Sequence, residues 1–213
     1  MGVSYPICVN LTNKKCIIVG GGRSARRKLE GLLSTGADIV VIAPQLHPRM
    51  KALVEEYEVH WEARQLEQDD LSGSELVFVA TDDDQQNRQA YEMAHSAGIW
   101  VNVNGEAESG DFAVPAAVHR GSMTLSVSAP GASHVLTKKL RLQLEQAFGP
   151  EYESFLEFFS QCDQELKSKV DSNEKRKEVL KSIIESDCLD LLRRNQTQMA
   201  QKRVEQIKRE FLR

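Results

Sequence analysis

The run Gly20-Gly21-Gly22-Arg23-Ser24-Ala25 fits the spacing G-x-G-x-x-A. It follows the apolar run Cys16-Ile17-Ile18-Val19 and precedes a stretch in which Ala25, Leu29, Leu32 and Leu33 can share one helical face. In a strand–turn–helix setting each residue type has a reason. Gly20 permits the tight turn, the bare Cα of Gly22 lets a diphosphate approach the backbone, and Ala25 is small enough for close helix–strand packing. A helix starting at Arg23 and Ser24 offers unpaired N–H groups and a partial positive charge to phosphate oxygens. The chemistry implied is dinucleotide binding; a glycine turn without a ligand is the structural alternative.

A second constellation, Thr81-Asp82, follows the apolar run Leu76–Ala80. It is expected at the carboxyl edge of a sheet, where open α/β folds bind ligands. Asp82 is equally a candidate N-cap for the next helix, and the two roles are compatible. Pro44 and Gln45 close the second strand and are expected on the adenosine side. That strand ends Ile42-Ala43-Pro44-Gln45, with no carboxylate for a ribose 2′-hydroxyl and no arginine for a 2′-phosphate. The choice between NAD and NADP is therefore open at this position, and NAD is the reading adopted.

The elements needed to position these residues are legible as periodicities. Apolar runs at 16–19, 39–42, 59–62, 76–80 and 99–103 read as strands. Between them, helices are expected at 23–34, 47–57 and from 84 to 97. This alternation predicts a parallel sheet with helices on both faces. Beyond Asn104 the pattern changes. Strands are expected at 112–115 and 124–128, with Gly121 in the turn between them, then a basic helix at 135–148 opened by Gly131 to Ser133. After the break at Gly149-Pro150 three amphipathic stripes follow: Tyr152, Phe155, Phe159, Cys162, Leu166; Val179, Leu180, Ile183, Ile184; and Ala200, Val204, Ile207, Phe211. The expected fold is α/β, with an N-terminal Rossmann-type parallel sheet, a small α+β dimerisation region and a C-terminal helical domain. The expected boundaries are 1–112, 113–148 and 149–213.

Bulk composition excludes several classes. The 213 residues carry a net charge of −4, so no global basic field awaits nucleic acid. No apolar run approaches the roughly 20 residues of a membrane span. The N-terminus has no signal-peptide pattern, and the four cysteines form no CxxC pair and no metal-ligand spacing with histidine. A cytoplasmic protein without a bound metal is expected, with Cys8 and Cys16 as buried free thiols.

The ordered set Lys15–Lys28, Ala80-Thr81-Asp82, Val101-Asn102, Phe112-x-Val-Pro115, Ser126-Val-Ser128 and Gly131-Ala-Ser133 resembles the precorrin-2 dehydrogenases, the dehydrogenase module of siroheme synthesis. The resemblance spans the whole chain and is closest to the stand-alone bacillus-type enzymes. It implies NAD-dependent oxidation of precorrin-2 to sirohydrochlorin by a homodimer, with no nucleic acid or membrane partner. Asn102 joins the cofactor residues on this ground. Many relatives carry a catalytic Asp after the Asn-Val pair, where this chain has Gly105; the carboxylates left in the loop make Asp111, then Glu106, the catalytic candidates. For a polycarboxylated substrate the resemblance and the residue types point to Ser128, Gly131, Ser133 and Lys138, beside His119, Arg120, Lys139 and Arg141. His134 stands where many relatives have proline and is either a helix-start residue or a metal contact. Two other readings are a bifunctional dehydrogenase and ferrochelatase, and a non-catalytic NAD(H)-sensing module.

Overall fold

The structure is a computed structural model describing residues 5–104, 110–129 and 134–211. Two compact units divide the chain, Met1–Val114 and Pro115–Arg213.

In the first unit, β1 (Lys15–Val19), β2 (Asp38–Ile42), β3 (His60–Glu62), β4 (Ser74–Val79) and β5 (Trp100–Val103) form one parallel sheet in the order β3-β2-β1-β4-β5. Helices α1 (Arg23–Leu32), α2 (Pro48–Glu56) and α3 (Asp84–Ser96) cross between strands. Side chains alternate faces along a strand, and β1 shows the consequence. Cys16 and Ile18 pack with Ala25, Leu29 and Met50 from α1 and α2. Ile17 and Val19 pack with Ala90 and Ala94 from α3. Ile17 and Ile18 are both fully buried, each contributing roughly 1.5–3 kcal/mol. With both faces covered, β1 must be apolar throughout, which is why it reads as a continuous run. Strand order reverses between β1 and β4, so the loops after these two strands splay apart at their carboxyl ends and leave a crevice there.

The connection from β3 to β4 is tied by ions. The guanidinium of Arg64 donates to both carboxylate oxygens of Asp70 at 2.6 and 2.7 Å. Lys15 Nζ donates to the carbonyls of Asp70 and Ser72, anchoring the 3-10 turn Gln68–Leu71 beside β1.

In the second unit, β6 (Ala116–Arg120) and β7 (Met123–Val127) form an antiparallel hairpin, followed by helices α4 (His134–Ala147), α5 (Glu151–Lys169), α6 (Asn173–Ile184), α7 (Cys188–Arg193) and α8 (Thr197–Phe211). Its core gathers Cys162, Leu166, Val179, Ile183, Cys188, Val204 and Ile207. No described helix is long and apolar enough to cross a membrane.

Three local expectations are corrected. Residues 112–115 form no strand, because the Phe112 carbonyl accepts from the Asn102 side chain and Pro115 has no N–H to give a ladder; the strand begins at Ala116. The helical tail contains α7, which at six residues is too short to show a stripe. Cys8 is exposed rather than buried, since residues 5–10 join no strand, whereas burial pushes the Cys16 thiol up to about 11.

Candidate dinucleotide cleft

The loops after β1, β2 and β4 enclose a cleft of about 420 Å³ at the point where strand order reverses. Its floor is the glycine turn, and the three glycines have three different reasons. Gly20 has φ +122°, and a Cβ there would stand 2.5 Å from the Ala80 carbonyl oxygen. Gly21 faces the next turn: a Cβ would fall 1.9 Å from the Gln45 carbonyl oxygen. At Gly22 neither constraint holds. Its φ is −87°, and a Cβ would meet only the Asp82 carboxylate, at 3.7 Å. No described protein atom obliges residue 22 to be glycine; the free space opens into the cleft.

Gly22 is also the N-cap of α1, and no side chain caps that helix or places a negative charge in its first turn. The orphan N–H groups at the start of α1, which includes Arg23, Ser24 and Ala25, therefore have no anionic partner from the described chain. The other helix starting at this edge is different. At α3, Asp83 accepts from the N–H groups of Gln85 and Gln86 at 2.8 and 3.0 Å. The cap is thus Asp83, not Asp82, and Asp82 is left to line the cleft.

The turn at Thr81 is held by a residue not singled out from sequence, Asn87. Its Oδ1 accepts from the Thr81 N–H at 3.1 Å and from the Thr81 hydroxyl at 2.7 Å, and its Nδ2 donates to the Thr81 carbonyl at 3.2 Å. Asn87 is 6% exposed. It clamps the turn at Thr81, next to Asp82, as a backbone segment would. An asparagine six residues beyond Thr81, on the inner face of the next helix, is the sequence signal that was available.

Of the residues expected to bind cofactor, Gly20, Gly22, Pro44, Gln45, Thr81 and Asp82 line the cleft. Ala25 is fully buried in the α1-side core, and Arg23 is exposed at the helix start. Asn102 is not among the lining residues: it is 6% exposed, its Nδ2 donates to the Phe112 carbonyl at 2.8 Å, and its Oδ1 has no partner among the described residues. Sequence reading missed His47 and Gln65, and from α3 it missed Gln86, Gln89 and Met93. The spacing 86, 89, 93 is one helical face and could have been read as such.

Asp111, the first catalytic candidate, is not among the lining residues. Asp111 Oδ2 accepts from the Val101 N–H at 2.9 Å, the Asp111 N–H donates to the Val101 carbonyl at 2.8 Å, and Oδ1 lies 3.4 Å from His95 Nδ1. Residues 110–112 thus strap the open edge of β5. Glu106 lies outside the described residues, as do Gly131 and Ser133. Ser128, just past β7, and Lys138, on α4, are both exposed in the second unit. Arg120 is engaged within that unit, donating to the carbonyls of Phe148 and His119 at 2.9 and 2.8 Å. Arg141 pairs with Glu145 at 3.0 Å. Among the described residues no cluster of three His, Cys, Asp or Glu could hold a metal ion.

Comparison with known proteins gives a consistent neighbourhood. Residues 7–116 match the model of a family described as NAD(P)-binding. A precorrin-2 dehydrogenase of Bacillus subtilis is 39% identical over 137 residues, covering 63% of this chain and 83% of that protein. A siroheme synthase of Actinobacillus pleuropneumoniae is 36% identical over 145 residues, covering 68% of this chain. The chain spans 30% of the length of the Actinobacillus siroheme synthase and 40% of that of a siroheme synthase of Pseudoalteromonas atlantica. Among solved structures, SirC, a precorrin-2 dehydrogenase, superposes with a TM-score of 0.75 over 95% of this chain and all of that one, at 24% identity, a likeness of fold.

Proposed function

The chain belongs to the NAD(P)-binding family that includes precorrin-2 dehydrogenase, and from that membership we propose that it oxidises precorrin-2 to sirohydrochlorin with NAD⁺. The observation that carries the reading is Gly22: a glycine that the protein's own atoms do not require, at the mouth of an uncapped helix, facing a cleft. A Cβ-free position of that kind fits a diphosphate lying against the backbone. NAD⁺, when bound, supplies the hydride acceptor.

The residues then take the following roles. The backbone of Gly20 to Ala25 holds the diphosphate, with Arg23 and Ser24 at the helix start. Pro44 and Gln45 receive the adenosine side. Thr81 and Asp82 face the ribose on the other side, Asp82 as a hydroxyl acceptor. Asn102 supports this edge of the sheet by fixing Phe112. For the proton released in the oxidation the candidates remain Asp111 and Glu106. The Oδ1 atom of Asp111 is the oxygen the backbone leaves free, and His95 beside it offers an exit for the proton.

The second unit would receive the substrate. Its carboxylates suit the exposed Lys138 and the hydroxyl of Ser128, with Gly131 and Ser133 as further candidates from the sequence. Segment 113–148 is read as the dimerisation and substrate region, and residues 149–213 as the helical domain. Support for pairing of two copies is the exposure of Leu136 and Leu142 on α4, 46% and 40%. The setting proposed is a cytoplasmic homodimer with neither membrane nor nucleic acid as partner. The direct test is turnover: purified chain with precorrin-2 and NAD⁺ should generate NADH absorbance. Binding of NAD⁺ without turnover would sink the dehydrogenase and leave a nucleotide-binding protein.

A further inference from the structure

The start of α1 is charged against the usual preference. Its first six residues, Arg23 to Lys28, hold the cations Arg23, Arg26, Arg27 and Lys28 and no acid. A helix N-terminus carries partial positive charge, so cations there work against folding. Other helices of this chain follow the rule: α3 opens with Asp84, α5 with Glu151 and Glu153, and α6 with Glu174. The whole chain carries −4, so the excess at α1 is local. Arg26 is neutralised by Glu30, the one acid of α1, a turn further on. Among the described residues Arg23, Arg27 and Lys28 enter no hydrogen bond or ion pair. The Asp82 carboxylate beside Gly22 pairs with none of them.

The diphosphate proposed at Gly22 accounts for Arg23 at the helix start, and leaves Arg27 and Lys28 unexplained. At the helical rise per residue they stand about 7.5 and 9 Å along the axis from Gly22. Side chains on a helix lean toward its N-terminus, so both heads are carried back toward the mouth of the cleft. Arg27 is exposed and Lys28 half-buried. Burial, and then the neighbouring Arg27 charge, hold the Lys28 ammonium below its usual range, the mark of a cation without a counter-ion. On the next turn beside them stands Gly31, where a Cβ would meet nothing within 4 Å. Glycine is a poor helix former and packing does not require it there. Its effect is to keep the surface low next to the two cations.

We propose that Arg27 and Lys28 form a carboxylate-binding pair for the substrate, gripping an acidic arm of the tetrapyrrole at the mouth of the dinucleotide cleft. Charge-assisted bonds from a guanidinium and an ammonium suit a carboxylate, and the pair adds a contact in the first unit to those assigned to the second. The inference rests on the dehydrogenase reading. An arm gripped there is remote from the bond that yields hydride, so the pair holds ground state and transition state alike. Steady-state kinetics of the full chain with precorrin-2 and NAD⁺ are the test. The double variant Arg27→Gln, Lys28→Gln should raise KM for precorrin-2 by about tenfold or more with kcat little changed. Its NAD⁺ affinity by calorimetry should match the parent's, and it should melt at or above the parent, having lost cations from a positive helix end. Exchanging the two, Arg27→Lys with Lys28→Arg, keeps both charges and should hold KM within about twofold of the parent. Should the double variant fold poorly, Lys28→Gln alone carries the same expectation at smaller size. An unmoved KM in a parent that turns over overturns the pair and leaves the dehydrogenase standing. NAD⁺ affinity that falls in step with KM overturns it too, since the cations would then serve the cofactor. Variants that all melt well below the parent would assign both cations to the fold and overturn it as well. A parent that binds NAD⁺ without turnover removes the dehydrogenase reading and the pair with it.

Discussion

At the scale of single residues, the glycine loop shows how one residue type serves separate ends. Gly21 is demanded by the fold, whereas at Gly22 a Cβ would meet only the Asp82 carboxylate, and the demand proposed there is the cofactor's. Gly21→Ala should therefore cost roughly 1–3 kcal/mol of stability, because a methyl cannot coexist with the Gln45 carbonyl 1.9 Å away. Gly22→Asp should melt close to the parent and lose NAD⁺ binding, since its new carboxylate would join Asp82 where the diphosphate must lie. Calorimetry separates the two; unchanged NAD⁺ affinity in Gly22→Asp would contradict the site. Asn87 belongs to the same scale. Asn87→Ala strips the Thr81 N–H and carbonyl of their buried partners, and chemical denaturation should report a loss of about 1–3 kcal/mol. A variant as stable as the parent would show that the clamp is redundant.

At the scale of elements, two connections outside the cleft are expected to matter. The strap at residues 110–112 gives β5 an edge partner, and Val101, fully buried, has its N–H satisfied by the Asp111 carboxylate. Asp111→Ala leaves that N–H unpaired and should lower stability by about 1–3 kcal/mol. Asp111→Asn keeps one amide oxygen that can turn to accept from the Val101 N–H, so it separates the strap from proton transfer: lower kcat at an unchanged melting temperature favours the base. The Arg64–Asp70 pair governs the β3–β4 connection. Hydrogen bonds from Arg64 hold the Asp70 carboxyl below its usual range. A depressed value means the stabilisation is present above the unfolded value, about 4, and fades as pH falls through the folded one. Urea melts of Asp70→Asn should thus fall below the parent at pH 7 and converge with it under acid. A gap that persists at low pH would assign the loss to packing instead.

At the scale of the molecule, the first unit holds the entire cleft and its own two-faced core. A fragment of residues 1–114 should fold and bind NAD⁺ within about tenfold of the full chain, roughly 1.4 kcal/mol, while being unable to turn over precorrin-2. Circular dichroism and calorimetry on the fragment decide this; a folded fragment with no affinity would mean that the second unit completes the site. In the second unit Cys162 and Cys188 belong to the buried core, and burial pushes both thiols up.

The residue order alone determined the alternation of strand and helix in the first hundred residues, because strands buried on both faces must be continuous apolar runs and glycine must stand where a turn tightens. It marked Gly20, Gly22, Pro44, Gln45, Thr81 and Asp82, all of which line the cleft. What only the tertiary structure decided were contacts between positions far apart in sequence. Gly21 is constrained by a carbonyl from the β2–α2 turn, Phe112 and Asp111 are recruited to the edge of β5 instead of forming a strand, and the helix cap falls to Asp83 so that Asp82 is released. Local periodicity records which face of an element is buried; it holds no record of which distant backbone atom a side chain will reach.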